Sequence, residues 1–253
     1  FLLIPNAANC QQVLEQISKD APSGLEFKNL HESYALFALQ GMKSIDVLKD
    51  LGIGVNLEYM SFMESELSSE ALIICRTGYT GEHGYEILTS WASARKIWDL
   101  LLERVKKYSG LPAGLGARDT LRTEMGYALH GHELSLDITP VEASASWALA
   151  FDKEFWGKGA LEKQRAEKKH RRLGAILIND RGIPRAGMEI KDQDGKKIGY
   201  VTSGTFSPSL KSGIALGLFD NPISIDSQVF IDIRGRISQG VIKRLPFQPS
   251  RVK

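Results

Sequence analysis

The sequence predicts an α+β fold: an α/β-layer domain over residues 1–150, a helical linker over 151–170, and a small antiparallel β-barrel domain over 171–253. Three observations carry this division. Trp91–Lys107 is an amphipathic stretch with Ala94, Ile97, Trp98, Leu101 and Val105 on one helical face. Residues 163–172 (KQRAEKKHRR) form a polar, basic run that reads as a solvated helix end. Beyond it, short apolar strands recur between turn signals such as Asn179-Asp180-Arg181-Gly182 and Asp194-Gly195.

In chain order, Phe1–Pro5 is apolar and reads as a strand cut open at its start, so the chain is expected to be truncated. A helix follows with Val13, Leu14 and Ile17 at a 3.6-residue period. A strand is expected at Ser33–Gln40, a second helix after Asp46, and a buried strand at Ala71–Arg76. A glycine-rich loop leads to the strand Tyr85–Thr89 and the helix Trp91–Lys107. A further helix is expected to start within Gly114–Arg122 and to run through Met125 to about Leu129. The barrel strands are read at Leu173–Ile178, Met188–Lys191, Ile198–Ser203, Ile214–Leu218 and Gln228–Ile233.

Composition narrows the function. With 32 basic and 30 acidic residues the net charge is +2, which offers no electrostatic case for nucleic acid or an anionic membrane as partner. The longest apolar runs are too short to span a bilayer. Cys10 and Cys75 are not spaced as a metal pair and read as free thiols in a reducing compartment.

Gly78, Gly81 and Gly84 lie between two strands. Their spacing, and the strand rather than helix that follows, exclude a dinucleotide loop, so a long hairpin with glycines at positive φ is the plain reading. The chemistry beside them is less plain. Glu86 sits between Tyr85 and Ile87 in an apolar strand, where a carboxylate must face solvent or meet a partner. Asp119 has a simple account as a helix cap or dipole complement, whereas Arg118, a cation in a first helical turn, opposes the dipole. The His130, His132 and Glu133 cluster lacks a third ligand set at matching spacing, which argues against a metal site. Pro140 reads as the first position of a helix or strand, and Trp147 and Trp156 read as core or interface aromatics or pocket walls.

Several stretches occur in a telling order: 1–9 (FLLIPNAAN), 36–41 (LFALQG), 78–87 (GYTGEHGYEI), 114–124 (GLGARDTLRTE), 137–147 (DITPVEASASW), 155–164, 182–187 (GIPRAG), 198–218 and 245–249. In combination they resemble the T-protein (aminomethyltransferase) family of the glycine cleavage system over nearly the whole chain. The resemblance implies a folate-binding fold of three domains around a central pocket. It implies a reaction that takes the aminomethyl group from the lipoyl arm of H-protein, releases ammonia and forms 5,10-methylene-tetrahydrofolate. Tetrahydrofolate would be the acceptor and lipoylated H-protein the partner, in the cytoplasm or, for a eukaryotic source, the mitochondrial matrix.

Carried over by motif, Asn6 would bind folate from its strand end and Tyr79 would line the pterin or aminobenzoyl slot. Glu86 would hold the pterin ring, Arg118 would contact the cofactor near it, and Arg185 would contribute further to the pocket. The family's catalytic Asp, in an Ile-Asp-Asp-Leu segment, lies upstream of Phe1, so the resemblance implies no catalytic residue within this chain and no turnover by the chain as it stands. His83 occupies a place where an Asp is common, and the C-terminal end lacks an aromatic sometimes seen there. Two other readings of the same superfamily are a folate-binding iron–sulfur maturation module, whose Lys-Gly-Cys motif is missing, and a folate-linked demethylase without glycine cleavage activity.

Overall fold

A computed structural model describes residues 1–167 and 169–252, in two compact units. The first comprises residues 1–78 and 82–112 with Arg251 and Val252; the second comprises Tyr79–Gly81 and Ala113–Ser250.

In the first unit, α1 (Cys10–Asp20) follows a short 3-10 turn, and its Val13, Leu14 and Ile17 are half-buried, as their spacing requires. The strands β1 (Tyr34–Gln40), β2 (Phe62–Leu67), β3 (Glu70–Cys75) and β4 (Gly84–Ser90) form an antiparallel sheet in the order β1-β4-β3-β2. α2 (Ser44–Asp50) and α3 (Ala94–Lys107) cover one face. Leu48, Ile74, Ile87 and Ile97 are fully buried between sheet and helices, each contributing about 1.5–3 kcal/mol of burial. A strand's side chains alternate, so Tyr85 and Ile87 face this core while Glu86 faces away from it, level with Ala38 and Cys75.

Three readings change here. Residues 1–5 form no strand, and Phe1, Leu2, Leu3 and Ile4 are exposed. β2 is a strand that the sequence hides, because its Glu64 and Glu66 point outward from an edge and only Met63, Ser65 and Leu67 face the sheet's covered side. The loop glycines do two jobs. Gly81 has φ +76°, whereas Gly78 and Gly84 leave room for the Gln40 carboxamide, whose Nε2 donates to the carbonyls of Thr77 at 3.2 Å and Tyr85 at 3.1 Å.

In the second unit, α4 (Leu115–Met125) stops short of the expected end near Leu129, because Gly126 takes the left-handed conformation that terminates a helix, and α5 (Lys158–Glu167) precedes the barrel. The barrel is closed and antiparallel: β5 (Arg172–Ile178), β6 (Glu189–Lys191), β7 (Lys197–Ser207), β8 (Ser212–Phe219), β9 (Gln228–Ile233) and β10 (Arg236–Lys243), in the order β10-β5-β8-β7-β6-β9. Closure removes free sheet edges. β10 escapes a hydrophobic reading because its inward positions are Ser238, Gly240 and Ile242, of which only one is large and apolar. Pro140 opens a run of turns rather than a helix or strand, and Trp147 and Trp156 are 85% and 60% exposed, outside any core. α4 packs against β7 and β8.

Among the described residues of the barrel, Gly199, Gly204 and Gly213 each lie too close to a neighbouring main chain for a side chain. A Cβ at Gly204 would overlap the Pro184 carbonyl and meet Pro184 Cβ at 3.1 Å. Gly204→Ala is therefore expected to destabilise the chain by about 1–3 kcal/mol in urea denaturation, because main chain rather than a flexible side-chain tip must move.

Candidate functional site

The five residues singled out by the sequence fall on both units: Asn6 and Glu86 in the first, Tyr79, Arg118 and Arg185 in the second. Asn6 is exposed, caps the turn before α1 without a side-chain hydrogen bond, and accepts the Asn9 N–H on its carbonyl. Its side chain is thus uncommitted to the helix start.

Glu86 is half-buried on the sheet face opposite the core. The Thr77 hydroxyl donates to its Oε2 at 2.5 Å, and Oε1 accepts no hydrogen bond among the described residues. A carboxylate offers about four lone-pair sites, so this one retains acceptor capacity beside a fixed hydroxyl. The Cys75 thiol shares the face; burial first, and then the Glu86 charge, push its pKa up and keep it a neutral thiol. Sequence reading passed over Thr77, whose only signal is its place at the start of the glycine loop.

Arg76 opens the same loop and is structural. Its guanidinium is buried and donates to the Gly84 carbonyl at 3.1 Å and the Val252 carbonyl at 2.7 Å. His83 Nδ1 lies 3.1 Å from the Ser44 hydroxyl, and burial first, then Arg76, lower its pKa and favour the neutral ring.

In the second unit, Tyr79 and Arg118 are brought together. The Arg118 guanidinium lies 4.7 Å from the centroid of the Tyr79 ring, and Tyr127 stacks at 5.6 Å. Arg118 is exposed and makes no ion pair among the described residues. Its contact with the ring answers why a cation sits in the first turns of α4 against the dipole. The Tyr79 hydroxyl donates to the carbonyls of Ala128 at 2.5 Å and Tyr127 at 3.2 Å. Burial is the largest cause that pushes its pKa up to about 12, so the phenol stays protonated and the ring stays fixed.

Beneath this stack lies a charge network. Arg122, 1% exposed, donates from Nη1 to Glu133 Oε2 at 3.0 Å and from Nη2 to Ser203 Oγ at 2.7 Å. Its Nε donates to Asp119 Oδ1 at 2.8 Å, so the residue read as a cap or dipole complement instead grips an arginine one turn on. Glu133 is wholly buried, and its Oε2 also accepts the Leu129 N–H at 3.0 Å. Glu133 thereby braces the 127–134 turn whose carbonyls anchor Tyr79. His132 Nδ1 lies 2.9 Å from the Thr202 carbonyl, which can only accept, so that nitrogen carries the proton. Of the His130, His132 and Glu133 cluster, Glu133 is thus spent on an arginine and His132 on the barrel backbone. The inward spacing of Asp119 and Arg122, three residues apart on one helix, was the available signal for the network.

Arg185 is exposed at the barrel, and its Nη1 donates to the Gly204 carbonyl at 3.1 Å. Among the described residues no hydrogen bond or ring contact joins it to the Tyr79–Arg118 stack, although both belong to the second unit. Among the described residues no helix is long and apolar enough to cross a membrane.

Two family models match the chain. The GCVT N-terminal domain covers residues 1–153, and the glycine cleavage T-protein C-terminal barrel domain covers residues 171–248. An aminomethyltransferase of Parafrankia sp. (strain EAN1pec) is 48% identical over 246 residues, spanning 97% of this chain and 67% of its own length. That of Mycobacterium avium (strain 104) is 47% identical over 250 residues, spanning 98% of this chain and 68% of its own. The crystal structure of glycine cleavage system aminomethyltransferase T from Bartonella henselae superposes with a TM-score of 0.87 at 32% identity, covering 97% of this chain and 68% of that one. The chain thus spans about two thirds of the length of these relatives. Its paired domains, their order and these identities place it in one family: the chain belongs to the glycine cleavage T-protein family, whose members it matches are aminomethyltransferases.

Proposed function

We propose that the protein carrying this chain is a tetrahydrofolate-dependent aminomethyltransferase of the glycine cleavage system. The methylene carbon passes from the lipoyl sulfur of H-protein to tetrahydrofolate, giving 5,10-methylene-tetrahydrofolate, a dihydrolipoyl thiol and free ammonia. The observation that carries the folate reading is the Arg118–Tyr79 stack, a flat cationic plate without a carboxylate partner among the described residues. A folate offers what such a plate takes: flat aromatic rings to stack and glutamate carboxylates to pair with a guanidinium.

Glu86 supplies the complementary recognition. A pterin edge presents adjacent N–H donors, and a carboxylate with free acceptor sites accepts two of them side by side. Thr77 fixes the rotation of that carboxylate, so less side-chain freedom is lost on binding. Asn6 and Arg185 complete the proposed folate contacts, each with polar side-chain atoms not consumed by the fold.

Tetrahydrofolate binding to the chain, followed by calorimetry, tests this reading directly. Glu86→Ala is expected to weaken binding on the order of tenfold to a hundredfold, the worth of about 1.5–3 kcal/mol for hydrogen bonds to a charged group, with the melting temperature nearly unchanged. Wild-type chain that binds no tetrahydrofolate would sink the proposal. So would a Glu86→Ala variant that melts early while keeping its affinity. The transfer itself is assayed as ammonia released from aminomethyl-loaded H-protein by the protein that carries this chain.

A further inference from the structure

A depression of 640 Å³ in the barrel is bounded by the end of β5, the turn joining β7 to β8, and the start of β10. Arg181, Lys211 and Arg236 line it with Asn179 and Asp180, and Leu177 and Leu210 supply apolar wall. None of the five residues assigned to folate is among its lining. Elsewhere on the barrel, cations that reach a carboxylate pair with it: Lys191 and Lys197 share Glu189, and Lys243 meets Asp226. Arg181, Lys211 and Arg236 form no ion pair among the described residues, even though Asp180 lines the same depression. The Asp180 carboxylate turns instead to the Gln239 N–H, 3.4 Å from Oδ2.

The walls are held in place. Lys211 has φ +54°, a conformation that glycine adopts with less strain, yet a lysine stands there. Its turn is pinned by Ser207, whose Oγ donates to the buried Glu124 carboxylate at 2.5 Å and accepts the Leu210 N–H at 3.0 Å. Ser212 Oγ donates to the Ile178 carbonyl at 2.5 Å and ties the turn to β5. Three exposed cations without an ion pair among the described residues, around a depression whose β7–β8 turn is braced, form a local positive field.

We propose that this depression binds a small oxyanion carrying at least two closely spaced negative charges. Two guanidinium forks offer bidentate hydrogen bonds, the lysine adds a mobile point charge, and the Asn179 carboxamide adds neutral donors. The volume lies within the range of small-ligand sites. Phosphoryl groups and a run of carboxylates share this chemistry, and the test separates them.

Inorganic pyrophosphate and triglutamate are titrated separately into the chain by calorimetry at low and moderate salt. At least one is expected to bind, more weakly as salt rises. Arg181→Gln and Arg236→Gln are each expected to weaken that binding about tenfold, with the melting temperature and tetrahydrofolate affinity unchanged. Tighter binding of pyrophosphate assigns a phosphoryl ligand, and tighter binding of triglutamate assigns a carboxylate chain. Absence of binding by both, or binding that persists in the Arg181→Gln/Arg236→Gln double variant, overturns the proposal. Because none of these residues belongs to the proposed folate contacts, a failure here leaves the folate reading standing, and the reverse holds too.

Discussion

Arg122→Ala is expected to lower the stability of the chain by about 3–5 kcal/mol, since it leaves a buried carboxylate without its cation. Glu133 is wholly buried, its Oε1 has no hydrogen-bond partner among the described residues, and without Arg122 its Oε2 would keep only the Leu129 N–H. Removal also takes the Arg122 donor from Ser203 Oγ, which keeps only His132 Nδ1 at 3.3 Å, and frees Asp119. Asp119→Ala should cost far less, because its side chain is 43% exposed and water can replace it at the guanidinium. The measurement is urea denaturation of both variants beside Glu133→Leu and the Arg122→Met/Glu133→Leu double variant. The double variant is expected to be more stable than the sum of the single changes implies, since an apolar pair removes both buried charges together. An Arg122→Ala cost under about 1 kcal/mol would show that the pair braces nothing.

The parts of this molecule legible in its sequence are those where one physical demand dominates. Ile97 and Leu101 bury themselves because an amphipathic period leaves them no other face, and the helix lies where that period puts it. Most barrel strands announce themselves by alternation between turns. β2 and β10 do not, because an edge strand carries glutamates and a small barrel fills its interior partly with serine and glycine. The site divides in the same way. Glu86 and Arg118 stand out because each breaks a local rule, a carboxylate within an apolar strand and a cation near a helix start. Arg122 and Glu133 break no local rule. Their meaning comes from burial and from partners up to 81 residues away, as with Arg122 and Ser203. A pair distant in sequence leaves no periodic trace.

Tyr79→Phe separates the two roles of that residue, as anchor and as plate. The substitution keeps the ring beneath Arg118 but deletes the hydroxyl that donates to Ala128 and Tyr127. At neutral pH it is expected to cost about 1–3 kcal/mol, from loss of the single O–H donor that two half-buried carbonyls share. The phenol is neutral when protonated, and its pKa rises from 10.0 to about 12 in the folded chain. Below the unfolded value both states hold the proton and the full contribution is present. As pH rises through the window from 10.0 to about 12 the unfolded chain gives up that proton first, so this part of the stability is lost. Two pK units correspond to about 2.7 kcal/mol, and partial exposure reduces the expected loss to about 1–2 kcal/mol. The wild-type and Tyr79→Phe stability curves should therefore converge across that window, and parallel curves would mean that burial does not hold the proton on the phenol. Tetrahydrofolate affinity should fall little in Tyr79→Phe and at least tenfold in Tyr79→Ala, because the cationic plate needs the ring and not its oxygen.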